Sequence, residues 1–346
     1  MCIVRSRQYQ ADLEHVIHSG ILQMFAHKTI LITGASGMIG SCLVDLIMCC
    51  NRLYPEFKIR VVAVSRAAQV AYGRFKEYWG DDNFSFLEHS VADCFPKDCV
   101  FDYVIHAASL ASPDIMMREP VDTMLANFLG MYNVLEAARR CDATRVLFVS
   151  SGEVYGNVDK DTKAEADYGY VDQLKIRAAY PISKRAAETL CVAYRAQYGV
   201  DSVIVRPGHT FGPTMTRNDM RASSAFIRDV VEGKNIIMNS AGQIVRSYIY
   251  VLDTVRAIII VLEKGKSGEA YNVAGEEAIS IRKFAEITAE IGGQEIEFQT
   301  ENIADFKITR QVLDTSLLRA LGWKAETDIR TGIQKTVNEL LEVACK

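Results

Sequence analysis

Three glycines constrain the fold of this 346-residue chain more than any other feature of its sequence. Gly34, Gly37 and Gly40 follow an apolar run, Lys28 to Thr33, and precede a segment with helical periodicity. The first glycine of such a triplet permits a tight turn, the second lets the backbone approach a pyrophosphate, and the third lets the helix pack on the strand. The free N–H groups at the helix N-terminus then face the phosphates. The sequence therefore predicts a dinucleotide-binding site at this turn.

Short runs rich in β-branched residues alternate with longer helical segments, which is the pattern of βαβ units and a parallel sheet. The predicted strands are Lys28 to Thr33, Ile59 to Val64, Phe84 to Glu88, Tyr103 to His106, Arg145 to Val149 and Val200 to Val205. The predicted helices are Met38 to Cys49, Val121 to Arg140, Pro181 to Tyr198, Ala222 to Glu232, Ile281 to Ile291 and Ile329 to Leu341. The fold class is α/β, a doubly wound parallel sheet (Rossmann) with a smaller, partly interleaved C-terminal substrate lobe.

The alternation weakens after Arg206, which sets the predicted domain boundaries. Residues 1–27 form a helical N-terminal extension, and residues 28–206 form the dinucleotide-binding domain. Residues 207–238 and 276–346 form the substrate lobe, while the chain returns to the first domain near 239–275. Two strand-like pieces, Ser247 to Tyr250 and Ala270 to Val273, are expected to make that return.

Composition excludes several function classes. The chain has 39 basic and 43 acidic residues, a net charge of −4, so it offers no basic field for nucleic acid. Its longest apolar run, Ala257 to Leu262, is too short for a membrane span, and the N-terminus lacks the apolar centre of a secretory signal. We therefore expect a cytoplasmic protein with no membrane or nucleic-acid partner. The nine cysteines form no CxxC pair, and His15 and His18 have no third ligand nearby, so we expect no metal.

Cofactor choice depends on the residues that end the second predicted strand. An acidic residue there would bind the ribose 2′-hydroxyl of NAD, but the sequence has Ser65 and Arg66. An arginine at this place can accept the 2′-phosphate of NADP, and it can equally be an exposed basic residue that ends a strand. We expect NAD, with NADP as the alternative.

A serine, a tyrosine and a lysine suggest the chemistry. Ser151 follows a predicted strand, and Tyr180 and Lys184 lie at i and i+4 on one face of a predicted helix. The ammonium group is expected to lower the pKa of the phenol and so make Tyr180 a base, while Ser151 orients a substrate hydroxyl. Two other pairs, Tyr54 with Lys58 and Tyr72 with Lys76, share the spacing but follow no strand-end serine.

The segments GASGMIG, SSGEVYG and YPISK together resemble the extended short-chain dehydrogenase/reductase family, in its nucleotide-sugar epimerase/dehydratase branch. Within this branch, the motifs are most similar to those of UDP-glucuronate decarboxylases and dTDP-glucose 4,6-dehydratases. Further matching pieces are HAASLASP, RPGHTFGP, RSYIYVLD, GEAYNVAG and a terminal LGW, so the resemblance covers nearly the whole chain from Lys28. It implies a homodimer that pairs the helices at 121–140 and 181–198, although burial against the sheet would explain some of the same apolar residues.

The resemblance also implies residue roles. Ser151, Tyr180 and Lys184 take a proton from the sugar 4-hydroxyl while hydride passes to the nicotinamide, and Glu153 stands where relatives carry an active-site glutamate. A strand-end carboxylate paired with a neighbour is the alternative for Glu153. The implied cofactor contacts are Gly34, Ser36, Gly37, Met38, Ile39, Gly40, Ser65, Arg66, Ser90, Val91, Ala107, Ala108, Ser109, Asn127, Tyr180, Lys184 and Pro207. The implied substrate contacts are Ala111, Ser112, His209, Arg217, Arg246 and Tyr248, where Arg246 binds an anion or is a solvated surface residue.

Three departures from the family pattern bear on the reaction. Dehydratases have an acid before the glutamate and decarboxylases a hydroxyl residue, but this chain has Gly152, which cannot donate a proton. His209 replaces an asparagine near the substrate diphosphate, and it is expected to donate the same hydrogen bond and to add a positive charge. Ser90 replaces an aspartate that often binds the adenine.

The leading hypothesis is an enzyme that oxidises a nucleotide-activated sugar at its fourth carbon and completes a decarboxylation or a 4-epimerisation. The alternatives are a 4,6-dehydratase and an NADPH-dependent 4-keto-sugar reductase. A non-catalytic dinucleotide-binding regulator is the hypothesis from a different class.

Overall fold

The computed structural model describes residues 3–299 and 310–344. Its strands are β1 (Thr29–Thr33), β2 (Arg60–Ser65), β3 (Phe84–Glu88), β4 (Tyr103–His106), β5 (Arg145–Val149), β6 (Thr162–Lys163), β7 (Ser202–Pro207), β8 (His209–Phe211), β9 (Ile236–Met238), β10 (Val245–Tyr250), β11 (Ala270–Val273), β12 (Ala278–Ser280), β13 (Ile296–Phe298) and β14 (Arg310–Leu313). Its α-helices are α1 (Arg7–His18), α2 (Met38–Leu53), α3 (Ala68–Arg74), α4 (Pro113–Arg118), α5 (Pro120–Arg140), α6 (Ala179–Tyr198), α7 (Ala222–Val231), α8 (Val251–Lys264), α9 (Ile281–Gly292), α10 (Ser316–Ala320) and α11 (Ile329–Ala344).

Seven parallel strands form the main sheet in the order β11-β7-β5-β4-β1-β2-β3. The chain winds in one direction from β1 to β3 and in the other from β4 to β11, so the order reverses between β1 and β4. In doubly wound sheets, ligands bind at the carboxyl ends of the strands at such a reversal. The predicted Rossmann-like α/β fold is confirmed, and the six predicted strands match within two residues at either end.

The two predicted strand returns have different outcomes. Ala270–Val273 joins the main sheet beside β7, as predicted. The prediction for Ser247 to Tyr250 is wrong, because β10 pairs with β8, β12 and β14 in a second sheet. The first half of β10 pairs with β12 and β14, and its second half pairs with β8. The division of the chain into domains stays a prediction.

Helices α2 and α8 are apolar around most of their circumference because both are covered on two sides. Thirteen of the 16 residues of α2 are buried, and α2 packs against α1 and α8 as well as against the sheet. Sequence analysis assigned no helix to α8, since a continuous apolar run lacks the one-sided periodicity of a surface helix. No helix in residues 3–299 and 310–344 combines the length and the apolar character needed to cross a membrane.

The predicted N-terminal helix forms as α1 and packs between α2 and α11. The hydroxyl of Tyr9 donates a hydrogen bond to the buried carboxylate of Asp45 in α2. The ammonium group of Lys335 in α11 donates to Asp12 in α1 over 2.9 Å. The N-terminal segment therefore connects the glycine-loop helix with the last helix of the chain.

A buried polar network attaches the second sheet to the main sheet. Arg206, at the end of β7, donates to both carboxylate oxygens of Glu188 in α6 and to the hydroxyl of Tyr155. The Tyr155 hydroxyl donates to the side-chain oxygen of Asn272 in β11. The Asn272 amide in turn donates to the backbone oxygen of Lys163 in β6. These bonds fix where the edge of the second sheet lies relative to the carboxyl ends of the main strands.

Candidate active site

Two adjoining cavities lie at the carboxyl ends of the main strands. The larger one, the main cavity, has a volume of about 990 Å³ and is lined by the glycine loop, by Ser151, Tyr180 and Lys184, and by residues of the second sheet. The smaller one, the side cavity, has a volume of about 270 Å³. Gly34 and Gly37 line both. A dinucleotide that crosses the loop would therefore have one end in each cavity.

The three glycines of the loop meet different constraints. Gly34 has a φ of +68°, and a Cβ there would lie 2.7 Å from the Cα of Ala108. A Cβ at Gly40 would collide with the carbonyl oxygen of Gly34. A Cβ at Gly37 would approach only that same oxygen, at 3.2 Å, and Gly37 caps α2 without a side-chain hydrogen bond. Gly34 and Gly40 therefore serve the packing, while Gly37 leaves the helix N-terminus open to a phosphate.

The side cavity collects most of the predicted residues for the adenosine half of the cofactor. Its lining includes Ser36, Ser65, Arg66, Ser90, Val91, Ala107, Ala108 and Ser109. The hydroxyls of Ser36 and Ser65 are hydrogen-bonded over 2.7 Å, and Arg66 is exposed at the rim. Asp122 also lines the cavity, and sequence analysis did not single it out. The donors and hydroxyls present fit an adenosine ribose, with or without a 2′-phosphate.

Asn127, a predicted cofactor contact, lines neither cavity in the described structure. It is fully buried, accepts a hydrogen bond from the hydroxyl of Ser109 over 2.8 Å and donates to Ser183 over 3.0 Å. Asn127 therefore positions Ser109, which lines both cavities, and connects it to the helix that carries Tyr180. The remaining predicted cofactor contacts, Met38, Ile39 and Pro207, line the main cavity.

Ser151, Tyr180 and Lys184 meet at one point of the main cavity. Tyr180 is 5% exposed, and the Ser151 hydroxyl accepts a hydrogen bond from the backbone N–H of Glu153 over 3.2 Å. The ammonium group of Lys184 donates to the backbone oxygen of Val149 over 2.8 Å and lies 4.6 Å from the ring centre of Phe148. The other two Tyr-x-x-x-Lys pairs of the sequence lie outside both cavities. The presence of a strand-end serine therefore distinguished the pair that lines the cavity, Tyr180 and Lys184, from the two pairs that do not.

The prediction that the Lys184 ammonium lowers the pKa of Tyr180 is wrong for the polypeptide alone. Burial, followed by the charge of Glu153, raises the pKa of Tyr180 to about 12, although the bond from Ser151 lowers it. Burial also lowers the pKa of Lys184 to about 7, so its positive charge is only partly present at neutral pH. Because the Lys184 ammonium points at a backbone carbonyl, it does not offset the desolvation of the phenol.

Glu153 pairs with an arginine that sequence analysis missed. It lies in a 3₁₀ turn, Gly152–Tyr155, and Arg177 donates to its two carboxylate oxygens over 2.7 and 2.5 Å. The structure thus shows the paired carboxylate that was the alternative interpretation of Glu153, although both residues line the main cavity. Arg177 lies three residues before Tyr180, where no motif of the sequence marked it.

The predicted substrate contacts divide into those that line the main cavity and one that does not. Ala111, Ser112, His209, Arg246 and Tyr248 line it.

Arg217 is exposed and lies outside both cavities, so the structure does not bring it to the site. Arg221 lines the cavity instead. Arg221 is held by an ion pair with Asp219 and by a bond to the backbone oxygen of Thr210.

His209 does not carry the positive charge that we expected. Burial, with the positive charges of Arg246 and Arg221, lowers its pKa to about 3, so the imidazole is neutral at physiological pH. A hydrogen bond with Gln311 of β14 opposes this shift. His209 therefore acts on a substrate through hydrogen bonds alone.

Strands β6 and β14 contribute three lining residues that the sequence did not reveal, namely Lys163, Gln311 and Leu313. A Cβ on Gly152 would lie 3.2 Å from the Cδ1 of Leu313, so an apolar side chain occupies the region where relatives carry a polar residue. Strands of two and four residues are too short for a periodic signal.

The main cavity is rich in positive charge. Six of its lining residues are lysine or arginine, and three are aspartate or glutamate. Two guanidinium nitrogens, Nη1 of Arg177 and Nε of Arg246, are buried and have no hydrogen-bond partner in the described residues. Buried donors of this kind indicate an anionic ligand. The described residues contain no group of three His, Cys, Asp or Glu side chains arranged to hold a metal.

Comparison with known proteins agrees with this geometry. Residues 30–274 match the model of the NAD dependent epimerase/dehydratase family. The chain belongs to this family. It is 32% identical over 314 residues to UDP-glucuronic acid decarboxylase 1 of Xenopus tropicalis, covering 90% of this chain and 72% of the relative. It is 30% identical over 309 residues to UDP-glucuronic acid decarboxylase 6 of Arabidopsis thaliana, covering 89% and 87%. The resemblance read from the motifs is confirmed, and the chain is an enzyme of this type.

Solved structures share the fold over nearly the whole chain. A UDP-glucose 4-epimerase of Thermus thermophilus in complex with NAD is 26% identical, with a TM-score of 0.75 over 90% of this chain and 98% of the other. DesIV, a dTDP-glucose 4,6-dehydratase of Streptomyces venezuelae with NAD bound, is 23% identical, with a TM-score of 0.77 over 91% and 97%. These similarities show that the chain shares their fold over about nine tenths of its length.

Proposed function

We propose that this enzyme removes carbon dioxide from a nucleotide-activated hexuronic acid, with UDP-glucuronate as the substrate. The observation that carries the proposal is the cationic lining of the main cavity beside Ser151 and Tyr180. A hexuronic acid linked to a nucleoside diphosphate has negative charge at two separated places, the diphosphate and the carboxylate. The names of the curated relatives support the same reaction.

The first step is oxidation of the sugar 4-hydroxyl. Ser151 and Tyr180 both line the main cavity, so a sugar hydroxyl that contacts both can pass its proton to the phenol oxygen. When bound, the oxidised nicotinamide supplies the hydride acceptor and a positive charge that favours the tyrosinate. Lys184, whose ammonium is fixed by the Val149 carbonyl, adds to that charge in the fraction of molecules where it is protonated.

The second step breaks the bond between the carboxylate and the ring. A 4-keto group lies β to the C6 carboxylate, so the electron pair of the breaking bond moves to the keto oxygen and carbon dioxide leaves. Ser151 and Tyr180 donate hydrogen bonds to that oxygen as its charge grows. Dehydratases carry an acid before the glutamate for the loss of water, and Gly152 at that position cannot donate a proton. Protonation of C5 and return of the hydride to C4 complete the reaction.

A 4-epimerase is the second candidate, since it shares the first step and also needs no acid at position 152. The volume of the main cavity, about 990 Å³, favours it, because the 4-keto sugar has to turn over before the hydride returns.

We propose NAD as the resident cofactor and keep NADP as the alternative that Arg66 favours. Release of the cofactor from purified protein and its identification by mass spectrometry test this. Recovery of NADP alone would contradict it.

We propose a homodimer formed through α5 and α6. Five large apolar side chains of α5 and two of α6 are exposed, although the two helices pack side by side. They are Val121, Met124, Leu125, Phe128, Tyr132, Val192 and Tyr198. Sedimentation at micromolar concentration should show a dimer, and a single species at 38.6 kDa would contradict it. The cytoplasmic location stays a prediction.

Mass spectrometry of a panel of UDP-, dTDP-, GDP- and CDP-sugars tests the reaction. Each is incubated with the enzyme and with Tyr180→Phe. Loss of carbon dioxide from UDP-glucuronate with the active enzyme alone is the expected result. Loss of water from a neutral sugar nucleotide would contradict the proposal, and an unchanged mass with a new chromatographic peak would favour the epimerase.

A further inference from the structure

Lys163 is a buried cation that none of the motifs accounts for. It is 6% exposed, lies on β6 at the edge of the second sheet, and lines the main cavity. It pairs in register with Leu313 of β14. Its backbone oxygen accepts a hydrogen bond from the side chain of Asn272 in the main sheet. The backbone of Lys163 is therefore held from both sheets.

The ammonium group of Lys163 has few partners. It donates one long hydrogen bond, 3.4 Å, to the backbone oxygen of Gly156. Across residues 3–299 and 310–344, no carboxylate lies within ion-pair distance of it. Burial lowers the pKa of Lys163, and the charge of Glu153 opposes this shift, but both oxygens of Glu153 already accept from Arg177. An ammonium has three donors, and a buried cation without a counter-charge is unfavourable, so this group is suited to an anionic ligand.

The position of Lys163 separates it from Arg221, another cation of the cavity wall. Its partner Gly156 directly follows the 3₁₀ turn Gly152–Tyr155, which begins next to Ser151. Arg221, in contrast, contacts the sulfur of Met38 at the end of the glycine loop. The lysine is therefore adjacent to the segment that carries the reacting groups, and Arg221 is adjacent to the segment suited to phosphates. An anion at Lys163 would be a substituent of the sugar.

We propose that Lys163 is a specificity-determining residue that binds the carboxylate of the nucleotide-linked hexuronic acid. This proposal rests on the proposed function, because it takes the sugar nucleotide as the ligand of the main cavity. The lysine selects a sugar with an anionic group at C6 over the same sugar with a neutral hydroxymethyl group. It also holds the carboxylate in place while the 4-hydroxyl is oxidised.

Binding measurements in an inactive background test the proposal without turnover. Tyr180→Phe protein is titrated by calorimetry with UDP-glucuronate and with UDP-glucose, and the titrations are repeated after adding Lys163→Gln. We expect Lys163→Gln to raise the Kd for UDP-glucuronate about 10- to 100-fold, the loss that follows removal of a charge-assisted hydrogen bond. The Kd for UDP-glucose should change by less than about twofold, within the scatter of an unaffected site.

Lys160→Gln is the matched control. Lys160 lies three residues earlier, is exposed and pairs with Asp167 outside the cavity, so its loss makes the same change in net charge. It should alter neither Kd. Lys163→Met is the second variant for the case that Lys163→Gln does not fold, and it is carried through the same titrations. Because it removes an unpaired buried charge, its Tm should equal or exceed that of the parent protein.

Each outcome has a defined meaning. An equal loss of affinity for both nucleotides would place Lys163 at the diphosphate and overturn the proposal, and so would no loss for either. Failure of the Tyr180→Phe protein to bind either nucleotide at millimolar concentration would overturn both this proposal and the proposed function. Selective weakening of UDP-glucuronate, combined with no release of carbon dioxide by the active enzyme, would support Lys163 and refute the decarboxylation alone.

Discussion

The two sides of the main cavity are built from different kinds of element. The side with the glycine loop, Ser151 and Tyr180 comes from strands β1 and β5 of the main sheet and from helices α2 and α6. The opposite side comes from β6, β8, β10 and β14, which have two to six residues each and are drawn from positions 162–313. The first side holds the groups for hydride chemistry, and the second side contributes Lys163 and Arg246, two of the six cations that line the cavity.

This difference indicates that the reacting groups and the groups that select the substrate are held by different kinds of element. Groups that must meet a cofactor in a fixed geometry are held by elements with many backbone bonds and buried neighbours. Groups that choose a substrate lie on short strands held by a few side-chain bonds, such as those of Asn272. A change on the first side should therefore affect turnover, and a change on the second side should affect the choice of ligand.

Tyr180→Phe should have the largest effect. Loss of the phenol oxygen removes the base that accepts the proton of the sugar hydroxyl, and we expect kcat to fall by about 10³-fold or more. The affinity for the sugar nucleotide should stay within about threefold, since the ring and its packing remain. Steady-state release of carbon dioxide measures kcat. Tyr54→Phe, at the same spacing from a lysine but outside both cavities, is the control. More than about a tenth of the parent kcat in Tyr180→Phe would contradict the assignment.

Arg206→Ala should break the connection between the two sides. It removes the partner of the buried Glu188 carboxylate and one bond to Tyr155, so we expect a loss of about 3–5 kcal/mol in the free energy of unfolding. Urea unfolding followed by circular dichroism measures it. The double variant Arg206→Met with Glu188→Leu removes both charges and should recover a large part of the loss. A loss below about 1 kcal/mol in Arg206→Ala would show that the network is dispensable.

Gly40→Ala and Gly37→Ala should separate packing from cofactor binding on the first side. A methyl group at Gly40 collides with the Gly34 carbonyl, which we expect to lower the free energy of unfolding by about 1–3 kcal/mol. At Gly37 it meets only one backbone oxygen at 3.2 Å, so stability should hold while the retained cofactor decreases. Thermal unfolding and cofactor content per chain measure the two effects. Equal effects of the two changes on both quantities would refute this division of roles.

Glu339→Gln should show that ionisation of a buried carboxyl group in α11 destabilises the folded protein at high pH. Burial, with the charge of Asp12, raises the pKa of Glu339 to about 9 from its ordinary value of 4.5. Between these values the folded state keeps a proton that the unfolded state releases, so the parent protein loses stability as the pH rises. The variant should be more stable by about 1–3 kcal/mol at pH 8 and equal to the parent near pH 4.5.

The control for that experiment is a second buried carboxylate, one that has hydrogen-bond partners and a counter-charge. Asp45 in α2 accepts hydrogen bonds from Tyr9, Arg74 and Tyr78. Asp45→Asn removes the counter-charge of Arg74 and should therefore destabilise the protein at pH 8. A stabilising Asp45→Asn, or a Glu339→Gln effect that does not vary with pH, would contradict the comparison between the two regions.

The same division explains how much could be predicted from the sequence. The strands of the main sheet, the glycine loop and the Ser151, Tyr180 and Lys184 group follow from periodicity and spacing, because each signal spans a whole βα unit. The resemblance to the family added His209 and Arg246, since motifs surround both. The pKa of Tyr180 was not predictable, because it depends on burial that only the folded chain produces.

The residues that sequence analysis missed lie where no local signal exists. Lys163 and Gln311 occupy strands of two and four residues whose register partners, Leu313 and Arg246, lie far away along the chain. Arg177 and Arg221 project from irregular segments, and their ion pairs with Glu153 and Asp219 decide which of several nearby arginines faces the cavity. Arg217 was predicted in place of Arg221 for this reason.

Release of carbon dioxide from UDP-glucuronate, measured across a range of concentrations for the parent enzyme, Tyr180→Phe and Lys163→Gln, tests the central claim most directly. The account predicts that the parent releases carbon dioxide, that Tyr180→Phe releases almost none even at saturation, and that Lys163→Gln keeps most of its kcat with a strongly raised KM. Release by Tyr180→Phe at the parent rate, or loss of kcat in Lys163→Gln with an unchanged KM, would contradict it.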